Sequence, residues 1–220
     1  MRYCIYLSSE SPVYLPIHYN HILRGFLFNL IPQAEKLHFT YSNFFGKKRI
    51  NKERKRISFL SSFHFYVSIF EDVEIEFPVG TELRLGKNRV RIDKVDAVPV
   101  TVNEKSIKVK TLSPVTVFQS LPNGKTLYHR PTNGEFFKKL EEDLKEKTEK
   151  LTGIRPEISV QPSPEGVFKK AVVQYRNRFV IEAWKGMFDL EGDPEALRVA
   201  LTVGLGGRNS QGFGMVATAV

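Results

Sequence analysis

The sequence predicts an α+β protein built from ferredoxin-like units, and three observations lead there. The second half alternates strand and helix patterns in the order βαββαβ, the ferredoxin-like order. The first half opens the same way, strand–helix–strand–strand, and then continues in β-branched runs with no identifiable second helix. Finally, 220 residues, 41% hydrophobic and 12% aromatic, are enough for one large core or two of about 110 residues each.

Taken in order, Arg2 to Leu7 is rich in aromatic and β-branched residues and reads as a first strand. Tyr19, Ile22, Leu23, Phe26, Leu27 and Leu30 recur at helical spacing, so a helix is expected to end just before Pro32. Leu37, Phe39 and Tyr41 then alternate with His38, Thr40 and Ser42, which predicts a strand with His38, Thr40 and Ser42 on its polar side. Ser58 to Ser68 is again strand-like. Between residues 71 and 110 lie further short strands, with turns at Pro78-Val79-Gly80 and Gly86-Lys87-Asn88.

A change of domain is expected between Pro99 and Pro114. Lys108 to Phe118 reads as a strand. Thr132 or Asn133 caps a helix carrying Phe137, Leu140, Leu144 and Leu151, with Gly153 beyond its end. Strands are expected over 157–161, 167–175 and 178–188. Asp193 as N-cap and Pro194 at the first helical position begin a last helix, which Gly204 ends before a strand over 213–219.

The formal charge of +9 points to an acidic partner, with nucleic acid first and an anionic membrane surface second. The charge is concentrated. Seven of the ten residues from Lys47 to Arg56 are basic: Lys47, Lys48, Arg49, Lys52, Arg54, Lys55 and Arg56. Such a run is most often a solvated loop; in a chain this basic it is also a phosphate-contacting one. Cys4 is the only cysteine, which excludes an internal disulfide and a cysteine-cluster metal site. No histidine–carboxylate set has metal-ligand spacing, so neither metal nor cofactor is expected. No stretch suits a membrane span or a signal-peptide core, and a cytoplasmic location with no membrane partner is expected.

The most distinctive stretch is the C-terminal run from Gly204 to Val220, where five glycines fall between positions 204 and 214. Its order is helix, glycine loop, strand. A P-loop needs strand, loop, helix and a Lys-Ser/Thr pair, and a Rossmann fingerprint would need glycine where Asn209 stands, so both nucleotide readings fail. The run Gly212-Phe213-Gly214-Met215-Val216 only partly echoes the RNA-recognition-motif octamer. Two readings of the loop stay open: a turn packed on a sheet, and a nest of N–H groups that cradles phosphate.

Gly204-Leu205-Gly206, five residues, then Gly212-Phe213-Gly214 resembles the C-terminal G-φ-G-x5-G-φ-G signature of the CRISPR-associated endoribonucleases that process repeat RNA, members of the RAMP superfamily. Leu15-Pro16-Ile17-His18-Tyr19-Asn20, Gly25-Phe26-Leu27-Phe28-Asn29, Phe39-Thr40-Tyr41-Ser42 and Thr111-Leu112-Ser113-Pro114-Val115 follow that family's order as well. The resemblance implies two tandem ferredoxin-like (RRM-like) domains, taken as residues 1–110 and 111–220. It also implies a metal-independent cut in CRISPR repeat RNA by 2′-OH attack, giving a 2′,3′-cyclic phosphate and a 5′-OH.

In such relatives a tyrosine of the first helix, a histidine in the loop after it and a lysine beyond do the chemistry. Here the tyrosine position falls on Phe28, and the loop from Pro32 to Lys36 has no histidine. His38 is therefore the candidate base and Lys36 the candidate cation for the phosphorane charge; a histidine's free pKa of about 6.5 suits proton transfer. His21, beside Arg24, ranks below it. RNA contacts are expected from the 47–56 run and from Gly206, Gly207, Arg208, Asn209, Ser210 and Gln211. Repeat RNA is the expected partner, with other CRISPR-associated proteins as further ones and a monomer or homodimer as the assembly. A non-cutting repeat-binding paralogue and a general ferredoxin-like RNA-binding protein are the alternatives.

Overall fold

The structure is a computed structural model and describes residues 1–176 and 179–219. Its first part contains β1 (Arg2–Ser8), β2 (Val13–Pro16), α1 (Asn20–Leu30), β3 (Phe39–Tyr41), β4 (Phe45–Asn51), β5 (Arg56–Ile69), β6 (Glu82–Leu85) and β7 (Asn88–Val98). The second contains β8 (Ser106–Thr111), β9 (Phe118–Ser120), β10 (Thr126–Tyr128), α2 (Gly134–Thr152), β11 (Ile158–Pro162), β12 (Lys169–Tyr175), β13 (Phe179–Lys185), β14 (Met187–Gly192), α3 (Pro194–Thr202) and β15 (Val216–Thr218).

Both sheets are antiparallel and have the ferredoxin-like strand order. In the second, β11-β14-β8-β15, α2 and α3 supply the two crossovers. In the first, β7-β1-β5-β3 has the same order, and β2, β4 and β6 are additions to it. The long β5 organises this sheet: β1 and β2 pair along one edge, β3 and β4 along the other. The expected division after residue 110 falls inside β8, whose six residues all lie in the second sheet.

No second α-helix occurs in the first unit among the described residues. In its place the irregular segment 70–81 sets Val73, Ile75 and Phe77 against the core, with Phe77 5.1 Å from the Tyr3 ring. Apolar residues at every second position, ended by Pro78, match an extended chain and not a helical stripe.

Three expectations need correction. The strand expected over 178–188 is two strands, β13 and β14, broken at Gly186, where a Cβ would lie 2.3 Å from Phe168. β12 and β13 form a separate ribbon inserted between β11 and β14, so β14 is the true third strand of the second sheet. Thr40 and Ser42 do not face solvent. Both are buried: Thr40 Oγ1 donates to Phe213 O of the glycine loop (3.0 Å), and Ser42 Oγ accepts from Tyr66 N of β5 (2.9 Å).

Local signals explain the helices, with one exception. Asn133 caps α2 by accepting from Glu135 N (3.2 Å), and Gly153 ends it in the left-handed region at φ 79°. Phe136, Leu140, Leu144 and Thr148 form its buried face, so Phe136 takes the place expected of Phe137. Asp193 precedes α3 but does not cap it; its carboxylate accepts from Glu157 N (2.9 Å) instead.

The units join through buried polar contacts. Arg2 donates to Leu201 O, Val216 O and Ser68 Oγ, each at 2.7 Å, and burial lowers its pKa to about 10. Arg198 of α3 lies over the Phe70 ring at 4.3 Å. No helix among the described residues is long and apolar enough to cross a membrane.

Candidate functional site

The loop after α3 is held by its own carbonyls. Gly204, Gly206, Gly212 and Gly214 take φ of 96°, 61°, 87° and 78°, which only glycine adopts without strain. A Cβ on Gly206 would lie 2.3 Å from Thr116 O, and one on Gly212 2.5 Å from the Tyr41 ring. Lys147 of α2 donates from Nζ to Gly204 O (2.9 Å), to Asn209 Oδ1 (2.8 Å) and to Gly206 O. From the first unit, Arg24 Nε reaches Ser210 O (3.1 Å) and Asn20 Nδ2 reaches Gly212 O (3.2 Å). Both units therefore fix this loop.

Enclosure of the Lys147 ammonium lowers its pKa to about 8, against a smaller opposing pull from Asp143. The stem of Lys147 remains partly open, so the chain reaches inward from the surface of α2.

The expected RNA contacts in the loop fare differently. Asn209 uses both ends of its amide internally, donating to Leu205 O and Phe213 O (3.1 Å each) while it accepts from Lys147. Gly206 is buried, and Gln211 Oε1 is buried with no partner among the described residues. Gly207, Arg208 and Ser210 stay partly open, and the Arg208 guanidinium lies 4.7 Å from the Phe118 ring.

His38 comes to this loop from the other end of the chain. It stands one residue before β3, with its carbonyl accepting from Phe70 N (3.0 Å). Its backbone N–H donates to both carboxylate oxygens of Glu71 (2.9 and 3.1 Å), and its Nδ1 lies 2.6 Å from Glu71 Oε1. The imidazole remains 41% exposed, open enough to meet a substrate.

A cleft of about 290 Å³ brings His38 together with Arg208, Ser210, Lys150 and Leu151. A second, of about 450 Å³, shares Lys147 and Lys150 with it and continues past Gly207 to Phe118 and Lys139. Lys36 is not among these lining residues; its ammonium donates to Gln33 Oε1 (3.1 Å). Phe28 carries the Arg24 guanidinium on its face at 4.1 Å and meets Phe39 edge-on. His21 is outside the cleft, edge-on to Tyr175, its pKa lowered by burial and then by Arg176.

The basic run forms the tip of the β4–β5 hairpin, and every residue from Lys47 to Arg56 is exposed. Arg49, Lys52, Arg54 and Arg56 line a groove of about 700 Å³ together with Tyr14. This tip is far from His38: at about 3.3 Å per residue, the 14 residues of β5 separate them by roughly 45 Å. Cations bridge the gap. Lys185 of β13 is close enough to Lys48 for its pKa to be lowered, after burial, by that charge; at the ribbon's other end Arg176 acts on His21, and Arg24 links α1 to the glycine loop.

Sequence reasoning missed Glu71, Lys147 and Lys150. Lys147 and Lys150 are i,i+3 neighbours on α2, a spacing visible in sequence. Their facing the glycine loop, more than fifty residues away, is not.

The model of the family described as CRISPR associated protein Cas6, C-terminal, matches residues 96–218, more than half of the chain. The chain belongs to the Cas6 family. Among Cas6 proteins it is 26% identical to the CRISPR-associated endoribonuclease Cas6 of Pyrococcus furiosus, over 98% of this chain and 89% of that protein. It is 24% identical to the CRISPR-associated endoribonuclease Cas6 1 of Methanocaldococcus jannaschii, over 98% and 92%. A solved structure described as a RAMP protein binding different RNA substrates superposes with a TM-score of 0.80 at 19% identity, covering all of both chains. At that identity the likeness establishes the fold, tandem ferredoxin-like units of the Cas6 kind.

Proposed function

We propose that this Cas6 protein is an endoribonuclease that cuts CRISPR repeat RNA, with His38 as the base. The observation that carries the reading is one cleft holding a half-exposed imidazole beside two cations, Arg208 and Lys150, and the glycine loop. His38 Nε2 takes the proton of a ribose 2′-OH. The 2′-oxygen attacks the adjacent phosphorus, and the bond to the 5′-oxygen breaks with its electron pair. That oxygen takes a proton from water, leaving a 2′,3′-cyclic phosphate and a 5′-OH.

Arg208 and Lys150 are placed to offset the negative charge that builds on the phosphorane, where preorganised positive groups act most strongly. They take the role expected of Lys36. The nucleophile belongs to the substrate, so cleavage is expected to persist in EDTA. RNA leaving the cleft follows Arg24, Arg176, Lys185 and Lys48 to the basic hairpin tip.

The test is incubation of end-labelled repeat RNA with the protein in EDTA. A cyclic-phosphate product is expected; tight binding with no cleavage would reject the nuclease reading. Phe28 favours that second outcome, since it has no ionisable proton where relatives carry a tyrosine and serves instead as the platform for Arg24. A RAMP relative described as binding different RNA substrates shares the fold.

A further inference from the structure

We propose that Glu71 is the positioning residue that makes His38 a base. The inference rests on the reading of His38 given above and concerns what sets its tautomer. Glu71 lies just after β5, on the segment that replaces the missing helix, and its carboxylate makes two kinds of contact with His38. One is to the backbone: both oxygens accept from the His38 N–H, at 2.9 and 3.1 Å. The other is to the ring: Oε1 lies 2.6 Å from Nδ1.

An ionised carboxylate has no proton to give and only accepts. A contact this short therefore puts the imidazole proton on Nδ1, which leaves the lone pair on Nε2. The ring is fixed as well as protonated on one side. Its backbone is tied at the N–H by Glu71 and at the carbonyl by Phe70 N, so the imidazole cannot turn its Nδ1 edge toward the cleft without breaking the contact. A helix cap or a solvent-facing ion pair would need neither this edge-on approach nor the double engagement of one carboxylate.

The same carboxylate also stabilises the imidazolium that forms when Nε2 takes the 2′-hydroxyl proton. The O2′–P bond then forms and the P–O5′ bond breaks, while Glu71 keeps its charge throughout and acts only through His38. Its place is that of the orienting acid in a nucleophile–base–acid array, with the nucleophile supplied by the RNA.

Glu71→Gln is the decisive variant. The amide oxygen still accepts from the His38 N–H, but the amide nitrogen donates to Nδ1 and drives the proton to Nε2. Single-turnover cleavage is expected to fall about tenfold or more, with the affinity for repeat RNA and the melting temperature unchanged. The imidazole ¹⁵N signals of His38, identified by their loss in His38→Ala, are expected to change from an Nδ1–H to an Nε2–H pattern. In a His38→Ala background Glu71→Gln is expected to do nothing further.

Equal losses in the two backgrounds, or an unslowed Glu71→Gln enzyme, would overturn the positioning role. If the Gln variant loses its fold, the wild-type ¹⁵N pattern decides: Nδ1–H supports the role and Nε2–H ends it. Full-rate cleavage by His38→Ala would instead remove His38 as the base. An inactive His38→Ala with an unslowed Glu71→Gln would remove only Glu71.

Discussion

The two ferredoxin-like units differ by one helix, and the candidate site depends on that difference. In the second unit α2 and α3 close the sheet in the regular way, burying Phe136, Leu140, Leu197 and Ala200. In the first, α1 covers the core with help from Val73, Ile75 and Phe77 of an irregular segment. That segment begins with Phe70 and Glu71, the two residues that hold His38. On the proposed reading the regular unit supplies the glycine loop and its cations, while the irregular one supplies the candidate base. Catalysis, on this reading, occurs where a complete fold meets an incomplete one.

The sharpest way to break this comparison is to remove the candidate base without touching the loop. His38→Ala is expected to lower single-turnover cleavage by about 10²- to 10⁴-fold, the usual worth of a positioned proton acceptor. Repeat-RNA affinity should hold. If cleavage and binding fall together, His38 supports RNA binding and the division of labour is wrong.

The next test strikes the regular unit. Gly214 has φ 78°, and a Cβ there would lie 2.0 Å from Leu205 O. Gly214→Ala is expected to cost roughly 2–4 kcal/mol, combining backbone strain with a clash against backbone that cannot yield. Gly124→Ala is the control, with φ 75° but nothing within 4 Å of the added Cβ. It should cost only about 1–2 kcal/mol. Urea midpoints measure both; equal losses would mean that the loop is not tightly packed.

A smaller effect is expected from the hairpin tip. Replacing Lys47, Lys48 and Arg49 together by alanine should leave stability within about 0.5 kcal/mol, since all three are exposed. RNA affinity should weaken, and the log–log salt slope should shrink by up to about 2, at roughly 0.7 per lost phosphate contact. An unchanged slope takes the tip out of the RNA path.

Much of this architecture was legible because it is local. The Asn133 cap, the Gly153 stop and the glycine spacing are each written within a few residues, and so is the alternation of Val73, Ile75 and Phe77. What was hidden depends on distant partners. Thr40 reads as part of a polar side until the glycine loop, about 170 residues later, covers it. Asp193 has the sequence of an N-cap, but its carboxylate accepts instead from the N–H of Glu157, just before β11. The site shows the same limit: His38 and Arg208 could be named, whereas Glu71 and Lys150 join them only once both units are folded.

A last effect concerns Lys147, the link between α2 and the loop. Its folded pKa, about 8, lies below the ordinary lysine value near 10.4. Between these two values the unfolded chain binds more protons than the folded one, so this group makes stability rise with pH across that window; the gain is lost as pH falls back through about 8. Lys147→Met removes the titration. Urea midpoints of wild type and variant at pH 7.5 and 9.5 should therefore diverge, with wild type gaining on the variant at the higher pH. Two forces compete at this nitrogen. Enclosure favours the neutral amine, whereas the three oxygens around it favour the ammonium, because a neutral amine has only two hydrogens to donate. A pH-independent difference would mean that the oxygens win and the glycine loop is pinned by a permanent charge.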